Sequence, residues 1–460
     1  MRYKKRSLIA RKNKILRISF VRQDMTTYSG LVLIDHYLRL YGIHSRIKNT
    51  FKSYGFKGDY SIGDILFMLL IMLILGTERL QHLDYLRGDP LFQRVTRLTH
   101  IPHRTKLSTA LKQFTSDSLK ALAELNSGLV IEKLTELGLY ELTIDLDGTV
   151  ISTKGNPSWA FKGYNPIKKG AKSYFPLTAH VAETGHFLSI VNRPGNVHDS
   201  NQALNVIQML RRQLSNFIIR FRADSAFCSP DVINYLLKNT ISFAIKAPFW
   251  KLLSLKTAAE KRQRWYKIDK QYGYFWLKNP IDTIKHDHYV IILRKKLRDS
   301  KKPYQLKLFS PDNGVYQYSA VVTDTNQWDP RQLLLFVSGR SAQENSISEL
   351  KTSFAFDHIP TNMYQANSAY QQMSQMAYNV ATSMQLSTGL AKKRSDNKKN
   401  TRLFQTKEWK TIRFLMINRA GRIAWENGVK VLQMTQNIKT KELYDKISGA
   451  LSEIEYRKAA

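Results

Sequence analysis

Two carboxylates lie two residues apart in a stretch that has the pattern of a β-strand. Apolar and polar residues alternate through Glu141–Ile151, so a strand would carry its leucines and isoleucines on one face and Asp145 and Asp147 on the other. Two carboxylates on one strand face repel each other unless a cation or a basic partner lies between them. Taken alone, the pattern also suits a strand with a solvated outer face, but the other carboxylates of the chain favour a chemical role.

A second predicted strand ends in a carboxylate, and a predicted helix carries a third. The strand at 216–224 ends in Asp224, and Glu344 lies on a helical segment later in the chain. Phosphoryl transfer requires one oxygen to be activated as the nucleophile and another to be stabilised as it leaves, and two divalent ions held by carboxylates do both. Asp147, Asp224 and Glu344 are therefore the candidate catalytic residues and metal ligands, and Asp145 is the alternative first ligand.

The expected cofactor is Mg²⁺, as two ions held at one site, and Mn²⁺ can substitute for it. Mg²⁺ prefers oxygen ligands, and the chain has no Cys or His cluster that would select a softer metal. The single cysteine, Cys228, excludes an intramolecular disulfide and is typical of a reducing compartment. Asp199 precedes a predicted helix and is interpreted as its cap rather than as a ligand.

The charge of the chain predicts a polyanionic partner. The 460 residues include 71 Lys and Arg but only 36 Asp and Glu, which gives a net charge of +35. DNA or RNA is the usual partner of such a chain, and a membrane surface is the rival. The longest apolar run, Ile65–Leu75, is too short to span a bilayer and is typical of a buried core helix. No secretory signal is recognised, so we expect a cytoplasmic, nucleic-acid-binding protein without a membrane partner.

The pattern of elements divides the chain into five predicted regions. Residues 1–138 combine a basic arm with helical periodicity, and residues 139–248 show three strands, a helix, a strand, a helix and a strand. Residues 249–328 contain short alternating segments separated by turns, as in a small antiparallel sheet inserted into the parent domain. Helical periodicity returns over residues 329–390, which contain the third carboxylate, and over the basic region 391–460. This order predicts an α/β fold with helical N- and C-terminal regions.

One loop combines basic and aromatic side chains in a way that suits nucleic acid. Residues 159–175 interleave five aromatic residues with Lys162, Lys168, Lys169 and Lys172. Such a loop can stack on bases and hold phosphates at once. An ordinary long hairpin loop is the alternative interpretation.

Three motifs resemble those of the DDE transposases of bacterial insertion sequences. They are Ile144–Val150 with the first Asp, Arg222–Phe227 with the second, and Arg340–Lys351 with the Glu. The resemblance covers roughly residues 140–390 and implies an RNase H-like catalytic core. It also implies that the β-rich region 249–328 is an insertion between the second Asp and the Glu.

The third motif is similar to that of one branch of these enzymes. The branch carries a Tyr, two residues, an Arg, three residues, a Glu, six residues and a Lys. Arg340, Glu344 and Lys351 keep this spacing, whereas Val337 stands at the Tyr position with Phe336 beside it. On a single helix the three matching positions share a face, so they could present two cations and a carboxylate to a DNA backbone.

The resemblance implies a role for individual residues. Asp147 is preferred to Asp145 as the first ligand because it directly precedes a Gly-Thr pair, as in the family's motif. Arg340 and Lys351 would hold phosphates near the cut. Members of this branch can close the element end as a hairpin and capture a flipped base on an aromatic side chain of the inserted sheet. Two aromatic residues here are candidates for that role, although core packing is the alternative for each: Trp276 and Trp265.

The resemblance also implies an activity. The protein would bind the terminal inverted repeats of its own element, cut the DNA to free a 3′ hydroxyl and direct that hydroxyl at target DNA, with cut-and-paste movement expected. Two ends must be paired, so a homodimer on DNA is expected, in the cytoplasm of a bacterium and at the nucleoid when bound to DNA. Two alternatives remain: a transposase-derived DNA-binding protein that has lost cleavage, and an RNase H-like nuclease without a strand-transfer step.

Overall fold

The computed structural model describes Ile18 and residues 24–166, 168–249, 252–297, 315–394 and 401–459, so the predicted basic arm lies almost wholly outside the described residues. The helices are α1 (Leu31–Leu40), α2 (Ile43–Phe51), α3 (Ile62–Leu75), α4 (Leu83–Leu86), α5 (Pro90–Thr96), α6 (Arg104–Leu111), α7 (Ser116–Glu136), α8 (Ala203–Gln213), α9 (Pro230–Lys238), α10 (Leu253–Lys261), α11 (Pro330–Ser338), α12 (Ser341–Phe354), α13 (Tyr364–Ser387), α14 (Trp409–Ile412) and α15 (Ile438–Ala459). The strands are β1 (Met25–Thr26), β2 (Glu141–Gly148), β3 (Ile151–Ser152), β4 (Phe161–Lys162), β5 (Lys172–Tyr174), β6 (Leu177–Val181), β7 (Phe187–Val191), β8 (Ile218–Ala223), β9 (Ser242–Lys246), β10 (Tyr266–Lys267), β11 (Tyr272–Lys278), β12 (Tyr289–Lys296), β13 (Tyr316–Thr323), β14 (Lys392–Lys393), β15 (Phe404–Gln405), β16 (Gly421–Glu426) and β17 (Val429–Met434).

The chain is helical from α1 to α7, and α3 contains the long apolar run. Every residue of α3 except Asp64 is buried, which explains why this helix has no polar face. Ser61 caps its start by accepting a hydrogen bond from the Asp64 backbone N at 3.1 Å, and Gly76, with φ at 83°, ends it. The prediction of a buried core helix is confirmed. Among the described residues, no helix is both long and apolar enough to cross a membrane.

A mixed sheet runs through the middle of the chain and confirms the predicted α/β class. Its nine described strands lie in the order β10-β11-β12-β13-β9-β8-β2-β6-β7. β8 is parallel to both β2 and β9, and every other neighbouring pair is antiparallel. β2 therefore lies between a parallel neighbour and an antiparallel neighbour, in the interior of the sheet.

The region 249–328 is predicted to form a small antiparallel sheet inserted into the parent domain, and in the structure its described strands join the central sheet. Its described strands β10 to β13 are antiparallel, as expected, but β13 pairs with β9 through Val322 and Ile245 and so extends the central sheet. An uncovered β9 edge would leave backbone N–H and C=O groups without partners, and β13 supplies those partners. The strands of this region are thus continuous with the sheet that carries the carboxylates.

The two faces of β2 have different surroundings, as its alternating sequence predicts. Leu142, Ile144 and Leu146 are at most 1% exposed and pack with residues of α7, α8 and α9. Burial of three such side chains contributes about 1.5–3 kcal/mol each relative to exposure. Asp145 and Asp147 lie on the opposite face, which contacts side chains from the start of α12.

The predicted single helix through Glu344 is two helices. Gly339 and Arg340 separate α11 from α12, so Arg340 stands before the first turn of α12 as its N-cap. A Cβ on Gly339 would lie 2.7 Å from Nη1 of Arg222, which explains why the smallest residue stands where the chain turns. α13 follows, is buried along most of its length and packs against α3, α7, β7 and α12.

The prediction that region 391–460 is helical is wrong for its middle part. α14 continues as one π-helical turn, but residues 421–434 form the antiparallel hairpin β16–β17, which pairs with β1. Asn427 and Gly428 form its turn with φ at 49° and 79°. Positive φ at both central residues is the requirement of a tight hairpin turn, which Asn-Gly meets at little cost. The final segment is the helix α15, which packs against α1.

Candidate active site

The inner carboxylate of β2, Asp145, belongs to a buried ion pair. The register aligns Asp145 with Arg222 on β8 and with His180 on β6. Arg222 Nε lies 2.5 Å from Asp145 Oδ1 and Nη2 lies 2.8 Å from Oδ2, and both side chains have 0% exposure. Burial raises the pKa of Asp145, but hydrogen bonds led by that from Arg222 outweigh it and hold the pKa below its ordinary value. Both oxygens of Asp145 are thus engaged by one cation.

The outer carboxylate, Asp147, lies beside Asp224 at the ends of two parallel strands. The last registered pair of β2 and β8 is Leu146 with Ala223, so the two aspartates are the next residues on strands that run about 4.8 Å apart. The side chain of Asp147 is 18% exposed. Asp224 accepts a hydrogen bond from the Ala226 backbone N at 3.0 Å, which fixes its position at the end of β8.

The start of α12 adds a cation and a third carboxylate to this pair. Arg340 Nη1 lies 3.1 Å from Asp147 Oδ2, and Nη2 lies 3.7 Å from Glu344 Oε1. Glu344 lies in the first turn of α12, and its side chain is 64% exposed. At the other end of α12, Lys351 donates a hydrogen bond from Nζ to the Val150 carbonyl at 2.9 Å. The structure therefore brings the predicted acidic residues and both predicted cations to one end of β2.

The pKa of Asp147 is determined by burial and by the charged groups around it. Burial raises its pKa to about 7, the Arg340 guanidinium opposes the rise, and the nearby carboxylates of Asp224, Glu344 and Asp199 add to it. Such a site favours a cation among its carboxylates. No three His, Cys, Asp or Glu side chains in the described ranges are gathered closely enough to hold a metal ion. The guanidinium of Arg340 is the cation that bridges Asp147 and Glu344 in this structure.

Asp199 does not cap α8, and its interpretation as a helix cap is wrong. The N-cap of α8 is Gln202, which makes no side-chain capping bond. The Asp199 carboxylate instead faces β2, because its Oδ1 lies 2.7 Å from where a Cβ of Gly148 would be. Buried Arg193 holds the loop by donating hydrogen bonds to the carbonyls of Asp199, at 2.8 Å, and Asn201, at 2.6 Å. Only the fold brings this carboxylate to the end of β2.

The predicted DNA-binding lysines lie on a small sheet directly after β2 and on the loop that joins two of its strands. β3, β5 and β4 form this sheet in that order. Lys162, Lys168 and Lys169 are exposed, and Lys172 donates a hydrogen bond to Asn156 Oδ1 at 3.0 Å. Two aromatic side chains of the same segment are also exposed, at 80% for Tyr164 and 46% for Phe161. The surface has the composition predicted for contact with nucleic acid.

The two tryptophans predicted as candidates for base capture are partly buried and lie far across the sheet. Four strands, β12, β13, β9 and β8, separate β11, which carries Trp276, from β2. Trp265, next to β10, donates a hydrogen bond from Nε1 to the Arg262 carbonyl at 3.0 Å and makes an edge contact with Phe275 at 4.8 Å. Both side chains pack against core clusters, so base capture by either remains a prediction.

Gly148→Ala is expected to destabilise the protein by about 1–3 kcal/mol, because overpacking at a closed site costs that much. The new Cβ would lie 2.6 Å from Cζ of Phe175 and 2.7 Å from Oδ1 of Asp199. Urea unfolding measures the change. Gly155→Ala is the matched control, since its Cβ would have no neighbour closer than 3.9 Å. Equal losses in the two variants would contradict the prediction.

Comparison with known proteins shows which protein family the sequence matches. A family model described as "Transposase DDE domain group 1" matches residues 9–456. No curated protein matches the chain. Among solved structures, the cryo-EM structure of a piggyBac transposase synaptic complex with hairpin DNA aligns with a TM-score of 0.45 and 10% sequence identity, over 94% of this chain and 82% of that chain.

Proposed function

Because the chain belongs to the DDE transposase family, whose model matches residues 9–456, we propose that it moves an insertion sequence by Mg²⁺-dependent cutting and joining of DNA. It binds the terminal inverted repeats of the element, frees a 3′ hydroxyl at each end and directs that hydroxyl at target DNA. The observation that carries the proposal is the cluster of Asp147, Asp224, Glu344 and Arg340 at the end of β2.

Asp147, Asp224 and Glu344 are the proposed catalytic residues and metal ligands. Their oxygens are the hard donors that Mg²⁺ and Mn²⁺ prefer. Burial and the nearby carboxylates raise the pKa of Asp147 to about 7 although Arg340 is close, and a divalent ion bound among the carboxylates would favour its ionised form. Two bound ions would activate the attacking oxygen and stabilise the leaving oxygen of a phosphodiester. Asp145 is left out of the ligand set because Arg222 engages both of its oxygens.

Basic side chains around this cluster hold the DNA. Arg340 and Lys351 lie at the two ends of α12 and are proposed to contact phosphates near the cut. The small sheet with its four lysines, defined above, extends the contact along the backbone and stacks on bases through its exposed aromatic residues. A chain with net charge +35 supports such a role over a wide surface.

The fold supports a division into regions. The strand order β7-β6-β2-β8-β9, in which β8 is parallel to β2 and β9 while β6 is antiparallel to both β2 and β7, is proposed to be an RNase H-like core that begins near residue 139. Residues 249–328 are proposed as its insertion and residues 329–390 as its second part. The helical region before residue 139 and the mixed region after residue 390 are proposed to bind DNA. A homodimer in the bacterial cytoplasm, associated with the nucleoid when DNA-bound, would pair the two element ends.

Arg340→Ala is expected to bind Mn²⁺ about tenfold more tightly than wild type when no DNA is present. Arg340 neutralises two proposed ligands, and a unit charge at 4 Å contributes on the order of 1 kcal/mol even in water and more when partly buried. Electron paramagnetic resonance of free Mn²⁺ measures the affinity. Arg340→Lys, which keeps the charge, should stay near wild type. Weaker binding in the Ala variant would contradict the proposed competition.

The proposed function is tested with labelled DNA that carries the element's own end. Wild-type protein with Mg²⁺ should cut at the end and, with target DNA added, give a joined product. Binding without any cut would favour a transposase-derived DNA-binding protein. Cutting without a joined product would favour a nuclease that lacks strand transfer.

A further inference from the structure

Gln343 is a buried amide that immediately precedes the exposed Glu344. It has 0% exposure, although it lies in the first turn of a helix whose neighbouring residues 344 and 345 are exposed. Its Nε2 donates hydrogen bonds to the Asp145 carbonyl at 3.2 Å and to Thr178 Oγ1 at 3.2 Å. One side chain thus joins the start of α12 to both β2 and β6.

The hydrogen bonds of Gln343 continue directly to a proposed ligand. The Thr178 hydroxyl accepts from Gln343 and donates its own proton to the Asp147 carbonyl at 3.0 Å. The two Nε2 protons and the single hydroxyl proton are therefore all used, in one consistent direction. The backbone of Asp147 and the helix turn that carries Glu344 are linked through two side chains.

The residue that Gln343 contacts on β2 is itself held in place. The carboxylate of Asp145 is bound by Arg222, which also donates a hydrogen bond to the Phe336 carbonyl at the end of α11. His180 is hydrogen bonded to Ser346 one turn further along α12, at 3.1 Å. The start of α12 therefore rests on a buried, hydrogen-bonded polar layer rather than on apolar side chains alone.

Gln343 is a polar side chain at a fully buried position, where packing alone could be satisfied by an apolar residue. Gln343 Oε1 is buried and has no hydrogen-bond partner among the described residues. An apolar residue of the same size would fill the space without making either hydrogen bond of the amide nitrogen, so the donors of Gln343 orient the helix turn.

We propose that Gln343 is a positioning residue, which acts through the Asp145 carbonyl and the Thr178 hydroxyl to set Glu344 against Asp147 for metal binding. The proposal rests on the proposed function, because it takes Glu344 and Asp147 to be ligands at one site. Groups that orient metal ligands typically change metal affinity or activity by about 10–100-fold when they are removed.

The test compares Gln343→Leu with Gln375→Leu in the full-length protein. Gln375 is equally a buried amide, 1% exposed, that joins α13 to β7 by donating a hydrogen bond from Nε2 to the Phe187 carbonyl at 2.8 Å. Mn²⁺ affinity is measured by electron paramagnetic resonance, end-DNA cleavage is measured as a function of Mg²⁺ concentration, and urea unfolding is measured in parallel.

Gln343→Leu should bind Mn²⁺ about tenfold more weakly and need correspondingly more Mg²⁺ for half-maximal cleavage. Gln375→Leu should leave both metal measurements unchanged, whatever stability it loses. Equal metal dependence in the two variants would overturn the proposal. If Glu344→Gln itself left Mn²⁺ affinity unchanged, the ligand assignment and with it the proposed function would be at fault instead.

Thr178 provides a second route if Gln343→Leu fails to fold. Thr178→Val removes the hydroxyl with little change of shape and should reproduce the weaker Mn²⁺ binding, whereas Thr178→Ser keeps the hydroxyl and should stay near wild type. Normal affinity in Thr178→Val, or equally weakened binding in Thr178→Ser, would overturn the proposal.

Discussion

Asp147→Asn, Asp224→Asn and Glu344→Gln are each expected to lose Mg²⁺-dependent cleavage of end DNA by more than about 100-fold, because even groups that only orient metal ligands are worth about 10–100-fold. Binding of the same DNA should persist, since it rests on the many basic side chains of a chain with net charge +35. A gel-shift assay and a cleavage assay on the same preparations measure the two properties.

A folding defect would also abolish cleavage, so stability is measured alongside. Burial and the nearby carboxylates raise the pKa of Asp147 from 3.8 to about 7, so the folded protein favours the protonated form. The stability from this preference is fully present below pH 3.8 and is lost as the pH rises through about 7. At pH 8 without metal, Asp147→Asn should therefore be no less stable than wild type.

The control for these variants lies at the other end of the same strand. Glu141 begins β2, and its side chain is 57% exposed. Glu141→Gln should cut DNA at the wild-type rate. Near-normal cleavage by any of the three carboxamide variants would contradict its assignment as a ligand.

Asp145→Asn is expected to lower the free energy of unfolding by about 3–5 kcal/mol, because it leaves the Arg222 guanidinium buried without a counter-charge. Arg222 and Asp145 both have 0% exposure, so water cannot compensate. Protein that remains folded at low temperature should still cut DNA, since Asp145 supplies no metal ligand in our proposal. Urea unfolding and the cleavage assay measure the two effects.

The same two strands provide the matched control. Glu141 and Arg220 form an ion pair at 2.6 Å across β2 and β8, but their side chains are 57% and 38% exposed. Glu141→Gln should therefore cost less than about 1 kcal/mol. Replacing both buried charges, as Asp145→Leu with Arg222→Met, should recover much of the stability lost in Asp145→Asn. A small loss in Asp145→Asn, combined with lost cleavage, would move the first ligand to Asp145.

Much of the fold follows from local periodicity in the sequence. The alternation in Glu141–Ile151 predicts a strand with one apolar face, and the run Ile65–Leu75 predicts a buried helix. The C-terminal hairpin had an equally local signal in Asn427-Gly428, and the helical prediction overlooked it. Such features depend on neighbours along the chain, so a single sequence is enough to predict them.

The candidate site, unlike these local features, can be predicted from the sequence only in part. Residue types and spacing indicate carboxylates at the ends of two strands and cations on α12, but Asp145 and Asp147 share one strand face and cannot be told apart by periodicity. The two aspartates are distinguished by Arg222, which lies 77 residues further along the chain than Asp145 and contacts it because β2 and β8 pair in parallel register. That pairing neutralises one aspartate and leaves the other beside Asp224.

Three further residues have no usable signal in the sequence. Gly339 lies between α11 and α12, where Arg222 packs against it. Asp199 lies at the end of β2 because a buried arginine holds its loop there. Gln343 is buried where α12 meets the sheet. The sequence by itself determined which residues share a face of a strand or helix, because that depends on backbone periodicity. Strand register and helix docking are set by contacts between distant segments, so only the tertiary structure decided which carboxylate is buried against a cation inside the sheet and which ones lie together at the end of β2.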